Sequence, residues 1–205
     1  MRKLRLGFLA SHGGSNMQAI INACKEGRLD ADPAVVISNN SDSTALERAR
    51  REGIPRYHLS GATHPDPAQL DAAMLQTLEG HEVDLVILAG YMKLLGPQTL
   101  ARYRGRILNI HPALLPKFGG KGLYGKAVHE AVLAAGEKVT GVTIHLVDER
   151  YDAGPIVAQC EVPVVADDTP YSLAARVLER EHQIFAETLQ KIAQGEIDLD
   201  ALASR

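Results

Sequence analysis

Asn109 and His111 stand two residues apart in the run Ile107-Leu108-Asn109-Ile110-His111-Pro112. The run reads as a strand over Ile107–Ile110, and a strand's period of two sends both side chains to one face of a sheet. Asparagine offers a hydrogen-bond donor and histidine a titratable one. That pair suits an oxygen gaining negative charge in a tetrahedral intermediate. Pro112 stops the strand and fixes where the next loop departs. A lone Asn or His at a strand end serves structure in many proteins; two on one face, ahead of a long Pro/Gly loop, favour function.

A carboxylate could complete the pair. Asp148, Glu149 and Asp152 lie in the tight connection Val147-Asp148-Glu149-Arg150-Tyr151-Asp152-Ala153-Gly154-Pro155. Asp152-Ala153-Gly154 is also what a turn asks for, so turn chemistry alone accounts for the aspartate. The functional alternative sets it near His111, where it would favour the imidazolium and raise its pKa.

Upstream, Ser11-His12-Gly13-Gly14-Ser15-Asn16 follows the first apolar run. Two glycines permit a tight turn, and a helix start presents N–H groups without helical partners. Ser15 and Asn16 add side-chain donors and are expected to cap the helix. Together these make a monophosphate cradle, although a tight turn with an ordinary cap uses the same residues. The run matches neither GxGxxG nor GxxxxGK[ST], which weighs against dinucleotides and nucleoside triphosphates.

The elements that must position these groups alternate. Strands are expected at Leu4–Ala10, Ala34–Ser38, Tyr57–Leu59, Leu85–Ala89 and Ile107–Ile110. Helices are expected between them at Asn16–Glu26, Ala45–Glu52, Ala68–Leu78 and Pro97–Tyr103. Strands apolar on both faces and separated by helices imply a mostly parallel sheet covered on both sides, an α/β fold. In such sheets ligands collect at the carboxyl ends of strands, where Asn109 and His111 fall. Residues 112–125 lack periodicity, and a helix follows near Lys126–Ala135. The link between strands Val142–Val147 and Ile156–Val164 is too short for a helical crossover, so they form an antiparallel hairpin. A closing helix from Ser172 to about Gln194 carries the stripe Leu173, Val177, Ile184, Phe185, Leu189 and Ile192. No linker or repeat divides the 205 residues, which read as a single domain, 1–205.

Composition excludes several function classes. A net charge of −3 without a long basic run argues against nucleic acid as the main partner. Cys24 and Cys160 are isolated, too few for a disulfide framework or a zinc site. The eight histidines show no HExxH or comparable spacing, so no metal is expected. No Ser or Cys nucleophile with a neighbouring base is evident. The apolar stretch after Arg2, Lys3 and Arg5 stops at Ser11, short of a secretory core, and no run reaches membrane-span length. The chain is expected to be cytoplasmic, with no membrane partner.

The run Leu108-Asn109-Ile110-His111-Pro112-Ala113-Leu114-Leu115-Pro116 resembles the signature of the folate-dependent formyltransferases, and Asp152 falls where that family has its aspartate. Similarity extends to Gly14-Ser15-Asn16, Leu88-Ala89-Gly90-Tyr91-Met92, Gly141-Val142-Thr143-Ile144-His145, Asp152-Ala153-Gly154-Pro155 and Arg180-Glu181-His182. The resemblance implies a Rossmann-like formyltransferase fold and transfer of formyl from 10-formyltetrahydrofolate to an amine. The Gly-Ser-Asn loop and the short chain narrow the acceptor to glycinamide ribonucleotide, a step of purine synthesis.

It further implies roles. Asn109 and His111 would polarise the formyl oxygen and stabilise the oxyanion, and Asp152 would hold His111 charged and help pass the proton. Gly14, Ser15 and Asn16 would hold the substrate phosphate, and Glu181 the glycinamide end, although a helical Glu is usually solvated. Met92, Lys93, Leu94 and Leu95, with Asp148, Glu149, Arg150, Tyr151 and Asp152, would line the pterin pocket; core packing is the alternative for Met92 and Leu95. The partners are then two small molecules, taken up by a monomer or homodimer. The chain departs from the family pattern at His12-Gly13 and in Phe118–Lys126, which is longer than expected, and no substrate contact is assigned there. Transfer to the amino acid on initiator tRNA or hydrolysis of formylfolate would bring additional domains. A nucleotide sensor would need the glycine loop but not Asn109, His111 and Asp152.

Overall fold

The computed structural model describes residues 2–204. Along the chain come β1 (Leu4–Ala10), α1 (Ser15–Lys25), β2 (Ala31–Ser38), α2 (Thr44–Arg51), β3 (Arg56–His58), α3 (Pro67–Gly80) and β4 (Leu85–Leu88). Then follow α4 (Pro97–Arg102), β5 (Ile107–His111), α5 (Lys126–Ala134), β6 (Val139–Leu146), β7 (Ile156–Pro163), α6 (Pro170–Ala193) and α7 (Leu199–Ala203). The strand order is β3-β2-β1-β4-β5-β6-β7. β1 pairs in parallel with β2 and β4, and β2 in parallel with β3. The sequence order therefore reverses at β1, which lies between β2 and β4. The chain forms two compact units, one ending at Leu108 and one beginning at Asn109.

In the first unit the apolar runs become strands buried residue after residue. Phe8, Leu9 and Ala10 of β1, Val35, Val36 and Ile37 of β2, and Val86 and Ile87 of β4 are fully buried. Consecutive burial means that both faces are covered, as the sequence pattern requires of a parallel sheet. β2 begins earlier than expected and takes in Pro33. The residue lies opposite Leu6, outside the stretch Val36–Ser38 that β3 pairs and beside the register slip between Leu6 and Gly7, the kind of irregular position where proline is accepted.

In the second unit β6 and β7 form the expected antiparallel hairpin, with Thr143 opposite Gln159. Their link stays tight because a Cβ at Gly154 would lie 1.8 Å from the Leu146 carbonyl oxygen. Residues 112–125 contain turns and bends only. α6 starts at Pro170, ahead of the expected Ser172, because Thr169 and Ser172 form a capping box with proline in the first turn. Leu173, Val177, Ile184, Phe185 and Leu189 of its apolar stripe are buried. α7, capped by the Asp198 carboxylate, is too short to carry a periodic signal.

Candidate active site

His111 ends β5 and is 3% exposed. Its Nε2–H donates to the Phe118 carbonyl at 2.7 Å, and its Nδ1 faces Asp152 Oδ2 at 3.6 Å. The carboxylate that sequence could only suggest is therefore beside the imidazole. Its pull on the imidazole has the expected sign but does not set the net shift. Burial pushes the His111 pKa below the usual 6.5; Asp152 and the Phe118 carbonyl pull it up and His145 pushes it down, and burial wins. For this buried ring the cost of desolvating a cation outweighs what the neighbouring carboxylate returns.

Asp152 sits in the turn after β6 at φ 51°, a left-handed conformation. It thus serves as both turn residue and charge. Burial raises its pKa, but the hydrogen bond from the Gly120 N–H and the neighbouring imidazoles of His145 and His111 bring the net value below 3.8. The Gly120 bond is 2.9 Å and ties residues 112–125 to the carboxylate.

Asn109 precedes His111 on the same strand, and its Nδ2 donates to His145 Nε2 at 3.2 Å. His145, 2% exposed, donates its Nδ1–H to the Leu146 carbonyl at 2.9 Å, which leaves Nε2 as the acceptor. The same Nε2 lies 3.5 Å from Asp152 Oδ1. Sequence reasoning assigned His145 no role. The signal was the alternation in β6, where Gly141, Thr143 and His145 share one face and Val142, Ile144 and Leu146 the other. Thr143 holds the loop that leaves β5: its hydroxyl donates to Ala113 O at 2.7 Å and accepts the Leu115 N–H at 3.1 Å. His129 on α5 was missed as well. It is 4% exposed, its Nδ1 has no hydrogen-bond partner, and burial followed by the nearby His111 lowers its pKa. Glu181 on α6 is 7% exposed, so the solvated reading does not hold.

The remaining expected residues of this unit are less enclosed. Asp148 accepts the Arg150 N–H at 2.7 Å within its own turn. Glu149, Arg150 and Tyr151 are exposed.

In the first unit the glycine loop joins β1 to α1. The helix starts at Ser15, one residue earlier than expected, and Gly14 is its N-cap at φ 67°, with no side-chain cap. Ser15 and Asn16 thus lie in the first turn and do not cap it. A Cβ on Gly14 would meet Ala45 Cβ at 2.9 Å, and its positive φ independently favours glycine. Arg48 Nε donates to the Gly13 carbonyl at 2.9 Å. Met92 and Leu94 are 46% and 66% exposed, which removes core packing for Met92; Leu95 is half-buried. Lys93, Leu94 and Leu95 line a cavity of about 490 Å³ together with Asn39, Ser60 and Met74.

The far end of that segment is fixed by Asp71 of α3. Its carboxylate accepts the N–H groups of Gln98 at 2.7 Å and Thr99 at 3.1 Å, capping α4 from another helix. Among the described residues no group of three or more His, Cys, Asp or Glu is placed to hold a metal ion.

A mostly parallel sheet whose order reverses at β1, with Asn109, His111, His145 and Asp152 gathered after β5 and β6, defines an α/β protein with the groups that acyl transfer requires. The chain belongs to the formyl transferase family, whose model matches residues 4–189. It is 43% identical over 197 residues to the chloroplastic phosphoribosylglycinamide formyltransferase of Vigna unguiculata, covering 96% of this chain and 63% of that one. The chain thus spans somewhat less than two thirds of that curated relative. Against the phosphoribosylglycinamide formyltransferase of Escherichia coli K12 identity is 37%, over 96% of this chain and 90% of the other. The crystal structure of glycinamide ribonucleotide transformylase 1 from Symbiobacterium toebii superposes with a TM-score of 0.87 at 43% identity, covering 94% of this chain and 89% of that one.

Proposed function

We propose that this chain transfers the formyl group of 10-formyltetrahydrofolate to the amine of glycinamide ribonucleotide, through a tetrahedral intermediate, in purine synthesis. One observation carries the reading: His111 and Asn109 leave the same strand end, with Asp152 3.6 Å from the imidazole. The names of the relatives supply the formyl group and its acceptor, and the resemblance of the run Leu108–Pro116 supplies the folate carrier.

Asn109 presents its carboxamide to the formyl oxygen, held by His145, and His111 adds a second donor once it has taken up a proton. Burial disfavours the charged form of His111, so with its proton on Nδ1 toward Asp152 the neutral ring can accept at Nε2 the proton released by the attacking amine; Asp152 then stabilises the resulting imidazolium, whose Nε2–H passes to the leaving folate nitrogen. Both nitrogens of His111 face protein groups, so the Phe118 carbonyl must withdraw from Nε2 before that nitrogen reaches substrate. Gly14, Ser15 and Asn16 take the phosphate and the buried Glu181 the glycinamide end. Met92–Leu95 and Asp148–Asp152 take the pterin. The residues 1–205 act as one formyltransferase domain, as a monomer or homodimer in the cytoplasm; no helix among the described residues is long and apolar enough to cross a membrane.

The test is formyl transfer from 10-formyltetrahydrofolate by the purified chain, with glycinamide ribonucleotide, water or initiator tRNA as acceptor. Transfer to glycinamide ribonucleotide alone supports the reading. Binding of the nucleotide without transfer indicates a sensor and overturns it.

A further inference from the structure

We infer that Ser11 is a positioning residue that couples the glycine loop to the 92–95 segment, so that one buried hydroxyl sets both proposed substrate sites. The inference rests on the reading that the glycine loop takes the nucleotide phosphate and Met92–Leu95 the folate carrier.

Ser11 is the first residue after β1, at the point where the strand order reverses between β2 and β4. Loops leaving the carboxyl ends of neighbouring strands diverge at such a point and open a crevice for ligands. Ser11 ties the three loops together there. Its N–H donates to the Gly90 carbonyl after β4 at 3.1 Å, and its own carbonyl accepts from Asn40 Nδ2 after β2 at 2.9 Å. Its hydroxyl accepts the Met92 N–H at 2.7 Å and donates to Asn39 Oδ1 at 2.6 Å.

At 1% exposure, water offers the hydroxyl no substitute partner. A buried hydroxyl engaged as both donor and acceptor has one orientation, and removing it strands a donor on one side and an acceptor on the other. Here the stranded donor would be the peptide N–H that starts the 92–95 segment. Gly14, the N-cap of α1, lies three residues after Ser11. A shift of Ser11 therefore moves the glycine loop and the Met92 peptide together. Asp71 makes an instructive contrast. It anchors the other end of the segment, at Gln98 and Thr99, and makes no hydrogen bond to the glycine loop.

Steady-state kinetics and calorimetry with glycinamide ribonucleotide and the unreactive product tetrahydrofolate test the inference. In Ser11→Ala both KM values rise by about 10-fold, the loss of one or two hydrogen bonds, while kcat changes less. The dependence of the nucleotide Kd on tetrahydrofolate, present in the parent, disappears. Asn39→Ala, which frees the same hydroxyl, shifts both KM values in the same direction, and Ser11→Thr, which keeps it, restores them. Asp71→Asn raises only the folate KM. The inference is overturned if Ser11→Ala lowers the melting temperature but leaves both KM values alone, if only one KM moves, or if the nucleotide Kd in the parent ignores tetrahydrofolate. A parent that binds neither ligand overturns the functional reading itself.

Discussion

Replacing Asp152 with asparagine removes one charge and little else. Asparagine accepts the left-handed backbone at φ 51°, so the turn persists, and its amide oxygen can still receive the Gly120 N–H. What is lost is a negative charge 3.6 Å from His111 Nδ1 and 3.5 Å from His145 Nε2. At such a separation, with an effective dielectric of about 20, the attraction to an imidazolium is worth roughly 4 kcal/mol. Reorganisation around the amide offsets part of this. A net loss of about 3–4 kcal/mol as the imidazolium forms corresponds to a turnover reduced by roughly 10²–10³-fold. The assay is release of tetrahydrofolate under saturating substrates, with circular dichroism to verify the fold. An NMR titration of His111 gives a second readout: because Asp152 raises its pKa, the variant should titrate lower than the parent. A folded Asp152→Asn protein with turnover close to that of the parent refutes the electrostatic role.

Two further outcomes follow from packing and protonation. A Cβ at Gly96 would fall 2.2 Å from Asp71 Cγ, so Gly96→Ala should expel the carboxylate that caps α4, lower stability by about 1–3 kcal/mol and raise the folate KM; denaturant melts and steady-state kinetics check both. His111 and His129 titrate below 6.5 because burial disfavours their charged forms. Between the folded values and 6.5 the unfolded chain holds more protons, so their contribution to stability is intact above that window and is lost as pH falls through it, by at most about 1.4 kcal/mol per group per pH unit. The melting temperature should thus drop on acidification from neutral pH, and less steeply in His129→Leu; a melting temperature that rises on acidification contradicts this.

Much of the fold was legible because its elements obey one periodicity at a time. Continuous apolar runs such as Leu85–Leu88 are buried on both faces, and the short link before Ile156 left β6 and β7 no choice but a hairpin. Boundaries were less legible where tertiary partners decide them. The N-terminus of α4 is capped by Asp71, a residue 27 positions away, and α6 begins with a Thr169–Ser172 box outside its apolar stripe.

At the site, Asn109 and His111 could be read from spacing, since a strand's alternation fixes their common face. The proximity of Asp152 depended on the path of a turn whose conformation lies outside local pattern. For His145 the only signal is the alternation in β6, which gives a face but no role, and His129 inside an amphipathic helix carries no signature until its neighbours are known. The net shift of His111 lies beyond sequence for a related reason: sequence names a charged neighbour but does not measure burial.

The most direct measurement follows a ¹³C-labelled formyl group by NMR, from 10-formyltetrahydrofolate into product, in the parent and in His111→Ala. The account predicts that in the parent the label appears on the amine of glycinamide ribonucleotide and not in formate. It predicts a transfer rate about 10² or more lower in the folded variant, as for loss of a positioned acid–base group. Label in formate, or transfer by His111→Ala at the parental rate, would contradict it.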